Sequence, residues 1–285
     1  MTERFEAYCR RREHAALAAR IPGYVTREDK PPNDNARIGS DWSRALFDGP
    51  FYRSAAPASD GTPITSLVFV QSRDGNTGAA DPSTLGGGDT DLHLIYEGLS
   101  RVDADAVMAG ATTARARDIV FSVWHPELVA LRLALGHARH PAQVVVTGRA
   151  DVRFDDGLMF NEPALKVFVI TRTGAVSTVR NRLVSKPWVE VIDAGEPIAF
   201  ARAFRYLHSR GIDVMSCVGG RRTATELLAD NLVSDIYLTT SARDGGEPNT
   251  PYYEGPALSL QRIVLKDGRE AERGVTFEHL RIPAP

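Results

Sequence analysis

The chain has 285 residues, of which 43% are hydrophobic and 25% charged, with a formal net charge of −2. That balance fits one large α/β domain or two small ones. It leaves no electrostatic footprint for nucleic acid or an anionic membrane surface. Cys9 and Cys217, one in a charged leader and the other in an apolar strand, do not read as a disulfide framework or a cysteine metal site. No signal-peptide pattern opens the chain and no apolar run reaches the ~18 residues of a bilayer span, so a cytoplasmic location without a membrane partner is expected.

Residues 1 to about 20 read as a helix rich in Ala, Leu, Arg and Glu, stopped by Pro22-Gly23. The stretch to residue 62 is irregular, with loop compositions at 31–35 and 55–61. Trp42, Phe47, Phe51 and Tyr52 should anchor this leader, residues 1–62, on the main domain or on a neighbouring subunit.

From Pro63 to the end, residues 63–285, strands and helices alternate. Ile64 to Gln71 reads as a strand, Thr90 to Leu99 as a helix, and Ala106 to Ala109 as a short strand ending at Gly110. A helix over 126–138, strands at 143–147, 166–171 and 189–192, and a helix over 198–210 ending at Gly211 follow. Val214 to Val218 is a strand, Thr223 to Asp230 a helix and Asp235 to Thr240 a strand. Residues 258–265 and 275–282 suit a closing antiparallel pair. The alternation predicts an α/β sandwich on a mainly parallel sheet.

Four strand ends carry chemistry. Val218-Gly219-Gly220-Arg221-Arg222-Thr223 joins an apolar strand to a helix through two glycines. There, backbone amides can approach an anion and the helix N-terminus adds positive charge. Gly110-Ala111-Thr112-Thr113 offers a second glycine turn with hydroxyls, suited to phosphate or to a plain helix cap. Thr147-Gly148-Arg149 pairs a turn with a guanidinium fork that suits a 2′-phosphate, and Thr171-Arg172 repeats the pattern. Ser72-Arg73-Asp74-Gly75 places a carboxylate after the first strand. G-x-G-x-x-G after that strand and G-x-x-x-x-G-K-[ST] are both absent, which disfavours a Rossmann dehydrogenase or a P-loop enzyme. The seven histidines form no metal-ligand spacing.

Together these strand ends resemble the reductase domain of riboflavin biosynthesis, a pyrimidine reductase family related to dihydrofolate reductase. The likeness rests on Ser72-Arg73-Asp74-Gly75, on Asp105 through Thr113, and on Val218-Gly219-Gly220 through Leu238. It implies a dihydrofolate-reductase-like three-layer sandwich, with a mainly parallel central sheet and an antiparallel C-terminal strand pair. It also implies NADPH as cofactor, a pyrimidine or pterin-like heterocycle as substrate, and a homodimer. Gly110, Thr112, Thr113, Gly219, Gly220, Arg221, Arg222 and Thr223 would line the cofactor's phosphates, and Thr147, Gly148, Arg149 and Thr171 its 2′-phosphate end. Asp74, and Asp91 at the start of the 90–99 helix, are the two candidates for a carboxylate beside the substrate. Dihydrofolate reductase activity and non-catalytic nucleotide binding are the alternatives. Val218 stands where the family usually has a glutamate, and the family's acidic, proline-containing loop is replaced by Ala114-Arg115-Ala116-Arg117-Asp118.

Overall fold

The computed structural model describes residues 1–21, 23–28, 37–47, 49, 51–53, 61–79, 81–268 and 273–283. The expected loops at 31–35 and 55–60, and the side chain of Phe47, lie outside them. In chain order the strands are β1 (Tyr24–Glu28), β2 (Arg37–Ile38), β3 (Phe51–Tyr52), β4 (Ile64–Gln71), β5 (Ala106–Gly110), β6 (Ala142–Thr147), β7 (Val167–Thr171), β8 (Val189–Asp193), β9 (Val214–Val218), β10 (Asp235–Thr240), β11 (Gln261–Gly268) and β12 (Thr276–Arg281). Except for the β2–β3 pair, they form one ten-stranded sheet ordered β1-β11-β12-β10-β4-β9-β5-β6-β7-β8. From β10 to β8 all neighbours run parallel. At the other end β12, β11 and β1 pair antiparallel. This is the expected α/β class, with β11 beginning three residues later than the sequence suggests.

The parallel strands read as apolar runs because both of their faces are covered. Successive side chains go to opposite sides, as pleating requires. Val107, Val145, Val169 and Val218 join one core cluster. Met108, Val144, Phe168 and Cys217 join the other. Of the helices α1 (Glu3–Ala18), α2 (Asp41–Phe47), α3 (Ser100–Val102), α4 (Ala111–Ala114), α5 (Pro126–Ala134), α6 (Val176–Arg182), α7 (Phe200–Ser209) and α8 (Arg221–Ala229), α1 and α5 pack on the first face. Helices α7 and α8 pack on the second, giving three layers. Helix α7 shows why: Phe200, Ala203, Phe204 and Leu207 are its buried residues, the i, i+3, i+4, i+7 stripe of an amphipathic helix. Each buried aromatic or aliphatic side chain contributes on the order of 1.5–3 kcal/mol.

Residues Thr90–Leu99 wind as a π-helix rather than an ordinary one and run into a single α-turn, Ser100–Val102. Gly98 lets α5 close on this segment, since a Cβ there would stand 2.5 Å from Leu128 Cδ1. The leader is built into the same body: β1 pairs with β11 along the central sheet, and Phe5, Tyr8 and Ala16 of α1 are buried in the core. Trp42 stacks on His125 with ring centroids 4.1 Å apart, and Phe51 packs on Phe277. Trp42 and Phe51 thus anchor the leader on the main domain.

Candidate active site

The carboxyl ends of β4, β9, β5, β6 and β7 share one edge of the sheet, because these strands are neighbours and parallel. Strand β9 lies between β4 and β5 although it follows both in sequence. The connections leaving β5 and β9 therefore part beside one another and open a crevice there, the position at which open α/β sheets take ligands.

A cleft of about 880 Å³ occupies this edge. Gly110, Thr112 and Thr113 form one wall, and Gly220, Arg222 and Thr223 the facing wall. Gly148, Arg149, Asp151, Arg172 and Glu196 close its far end. The two walls interlock through glycine and threonine. A Cβ on Gly219 would stand 3.4 Å from Thr113 Oγ1, and one on Gly110 would stand 3.8 Å from Thr223 Oγ1. Gly219 and Gly220 have φ of +88° and +93°, a left-handed backbone that costs other residues about 1–2 kcal/mol. The Ala224 N–H closes the first intrahelical bond, to Gly220, so the N–H groups of Arg221, Arg222 and Thr223 are first-turn donors without intrahelical acceptors.

The far end is a set of anchored charges. Arg172 Nε donates to the Gly148 carbonyl at 2.6 Å and its Nη1 to Glu196 Oε1 at 2.8 Å. Glu196 Oε2 in turn accepts from the Gly174 N–H at 3.0 Å. That N–H and Arg172 hold the Glu196 carboxyl below the usual range. Arg115 pairs with Asp151 and donates from Nε to its carbonyl at 3.0 Å. Partial burial pushes the Asp151 carboxyl up, but the Thr147 hydroxyl and Arg115 outweigh it and the net shift is downward. Arg149 is exposed, with no ion pair among the described residues.

Eight of the residues singled out from the sequence thus line one cleft: Gly110, Thr112, Thr113, Gly148, Arg149, Gly220, Arg222 and Thr223. Others are turned elsewhere. The Thr147 hydroxyl donates to Asp151 Oδ1 at 2.9 Å, and that of Thr171 donates to the Thr147 carbonyl at 2.6 Å. Both threonines are buried because β6 and β7 are inner strands. Arg221 reaches Glu254, at 3.4 Å. Gly219 shapes the turn one residue inside the wall. Asp151 and Glu196 carry no motif in the sequence; only the spacing of Asp151 from Thr147, four residues on, offered a signal.

The two candidate catalytic carboxylates lie outside the cleft wall. Asp74 is exposed and accepts from Ser72 Oγ, from Asn76 Nδ2 at 2.9 Å and from the Gly245 N–H at 3.4 Å. The Ser72 hydroxyl, with smaller help from the Gly245 N–H, holds its carboxyl below the usual range. Asp74 therefore sits as an ionised staple between the loop after β4 and the loop after β10, where an apolar setting would have raised its pKa. Those loops are further joined by Arg73 N–H to Arg243 O at 2.8 Å and Thr77 N–H to Thr250 O at 2.7 Å. Asp91 is half-buried in the first turn of the π-helix and packs on Gly87, where a Cβ would stand 2.7 Å from its own.

The profile of the RibD C-terminal domain matches residues 63–267. The chain belongs to the RibD C-terminal domain family. Among relatives of that family, the 2,5-diamino-6-ribosylamino-4(3H)-pyrimidinone 5′-phosphate reductase of Archaeoglobus fulgidus is 27% identical over 136 residues. The match covers 48% of this chain and 61% of that protein, so it spans less than two thirds of the relative. A pyrimidine reductase-like protein from Corynebacterium diphtheriae shares the fold with a TM-score of 0.65 at 22% identity, over 81% of this chain and 96% of that one. RibD of Acinetobacter baumannii superposes with a TM-score of 0.60 at 14% identity, over 79% of this chain and 59% of that one. At these identities the two structures speak to the fold alone, and the mainly parallel sheet with antiparallel C-terminal strands is the one expected from the sequence. In this RibD C-terminal domain Val218, the residue before the glycine pair, is fully buried among apolar neighbours.

Proposed function

We propose that the chain is an NADPH-dependent reductase that transfers hydride to a phosphorylated pyrimidine-type heterocycle, as in riboflavin biosynthesis. The observation that carries this reading is the meeting of three glycine turns and Arg149 in one cleft at the carboxyl edge of the sheet. The donor set fits the cofactor. First-turn amides of α8 and the hydroxyls of Thr113 and Thr223 suit a pyrophosphate, and exposed Arg149 suits a 2′-phosphate. Gly148 presents no side chain there, and a Cβ on it would meet nothing within 4 Å.

The nicotinamide would supply the hydride. The protein's part is placement: glycine turns that let a dinucleotide lie close to the backbone, and walls that keep the reacting carbon within range. Family membership and the Archaeoglobus relative support the reductase reading. A homodimer and a cytoplasmic location belong to the same proposal; the two cysteines, both free, suit a reducing compartment. Fluorescence titration with NADPH, followed by turnover of the phosphoribosylamino-pyrimidine against dihydrofolate, tests it. Saturable NADPH binding with oxidation only in the presence of the pyrimidine is expected, and no NADPH binding would sink the proposal. NADPH binding without turnover of either compound would instead support a non-catalytic nucleotide-binding role, which buried Val218 and the exposed, bonded Asp74 favour.

A further inference from the structure

Resting on that reading, we infer that Arg172, held in place by Glu196, is a second guanidinium of the 2′-phosphate subsite and sets the preference for NADPH over NADH. Both side chains line the far end of the cleft. The bond from Arg172 Nε to the Gly148 carbonyl fixes the guanidinium beside the residue that precedes Arg149. A guanidinium has five N–H donors in a rigid planar fork. Two are used, on Gly148 and Glu196, and the Nη2 amino group has no acceptor among the described residues. A planar donor edge is thereby left over at the end of the cleft where Arg149 has no ion pair among the described residues.

Glu196 has a positioning role. It is bound on both oxygens, to Arg172 and to the Gly174 N–H, which ties the arginine to the backbone after β7. Two opposed effects follow from its charge. Removing it lowers repulsion toward a phosphate dianion, which tightens NADPH. It also frees Arg172 to rotate, which loosens NADPH, since preorganised donors bind an anion better than mobile ones. The double anchoring of Arg172 makes the second effect the larger.

The test is fluorescence titration of the full chain and its variants with NADPH and NADH in parallel. Arg172→Ala is expected to weaken NADPH about tenfold and leave NADH unchanged, the loss of one charge-assisted contact. Arg172→Lys is expected not to restore NADPH, because an ammonium cannot hold Gly148 and Glu196 and still present a fork. Glu196→Gln is expected to weaken NADPH about threefold. Unchanged NADH binding by each variant doubles as the check on folding. Equal loss of both nucleotides in Arg172→Ala, or tighter NADPH binding in Glu196→Gln, overturns the inference while leaving the proposed function standing. An unaltered chain that binds neither nucleotide overturns the proposed function itself.

Discussion

Asp235 and His279 face each other inside the sheet, His279 Nε2 lying 2.8 Å from Asp235 Oδ1. Their side chains are 0% and 1% exposed, and Arg281 Nε donates to the same oxygen at 3.0 Å. Removing one partner of a buried ionic cluster leaves the other charge unpaired, at about 3–5 kcal/mol. Asp235→Ala is therefore expected to destabilise the protein by about that amount in urea unfolding. A loss under about 1 kcal/mol, the range of a surface pair, would show that the cluster is not a buried one in solution.

Stability should peak near neutral pH for two reasons that histidine variants separate. Hydrogen bonds to Asp103 and Asp105 raise the His137 pKa to about 9. A raised folded pKa contributes stability that is complete below the unfolded value near 6.5 and lost as pH rises through about 9. Burial lowers the His140 pKa to about 3, so below about 6.5 the unfolded chain takes up a proton that the folded chain refuses, and stability falls with acid. His137→Gln should flatten the alkaline limb and His140→Gln the acid limb in unfolding curves taken from pH 4 to 10. Parallel limbs in wild type and both variants would contradict the assignment.

Gly148→Ala separates binding from folding. The added methyl meets nothing within 4 Å, and Gly148 is not among the left-handed glycines. Stability should hold or rise by about 0.4–1 kcal/mol, since alanine has less freedom to lose than glycine. NADPH affinity should fall, because the methyl projects into the cleft. Gly220→Ala, at φ +93°, should lose both stability and affinity. Unchanged NADPH affinity in Gly148→Ala would remove this turn from the proposed site.

Arg12 on α1 pairs with Glu97, whose side chain is 8% exposed. Arg12→Ala is expected to cost about 1–3 kcal/mol, less than a fully buried pair, because Arg12 is partly exposed and His93 Nδ1 stays 3.3 Å from Glu97. The double variant Arg12→Ala, Glu97→Leu should recover most of it. Deleting residues 1–20 would uncover Phe5 and Tyr8's partners in the core and should yield aggregation by light scattering, because a large apolar face meets water. A stable, monodisperse truncated chain would show that the leader is dispensable to the fold.

The central sheet was legible because buried parallel strands leave unbroken apolar runs such as Val144-Val145-Val146 and Val167-Phe168-Val169-Ile170. Strand β1 was not legible: Tyr24-Val25-Thr26-Arg27-Glu28 has too few apolar residues to announce an edge strand, and only its pairing with β11 defines it. The glycine turns could be read as a group because each follows an apolar strand. Which side chains face the cleft could not, since that depends on strand order. Thr147 and Thr171 turn inward and Arg221 turns to Glu254 for reasons that lie in neighbours distant in sequence. Asp235, within the stretch that carries the family resemblance, begins β10 and so sits at the opposite edge from the cleft.

The insertion of β9 between β4 and β5 has a consequence for the order of events in folding. Ile64 pairs with Val214 and Ala106 with Met215, so β4 and β5 lack a common neighbour until a strand from late in the chain arrives. Closing such a distant contact is entropically costly and slow. A nascent chain released before β9 would hold a gap in the middle of its sheet and only half of the cleft. Supplying residues 212–283 as a separate peptide should fill that gap, and recovered NADPH binding on mixing would show that the site is assembled last.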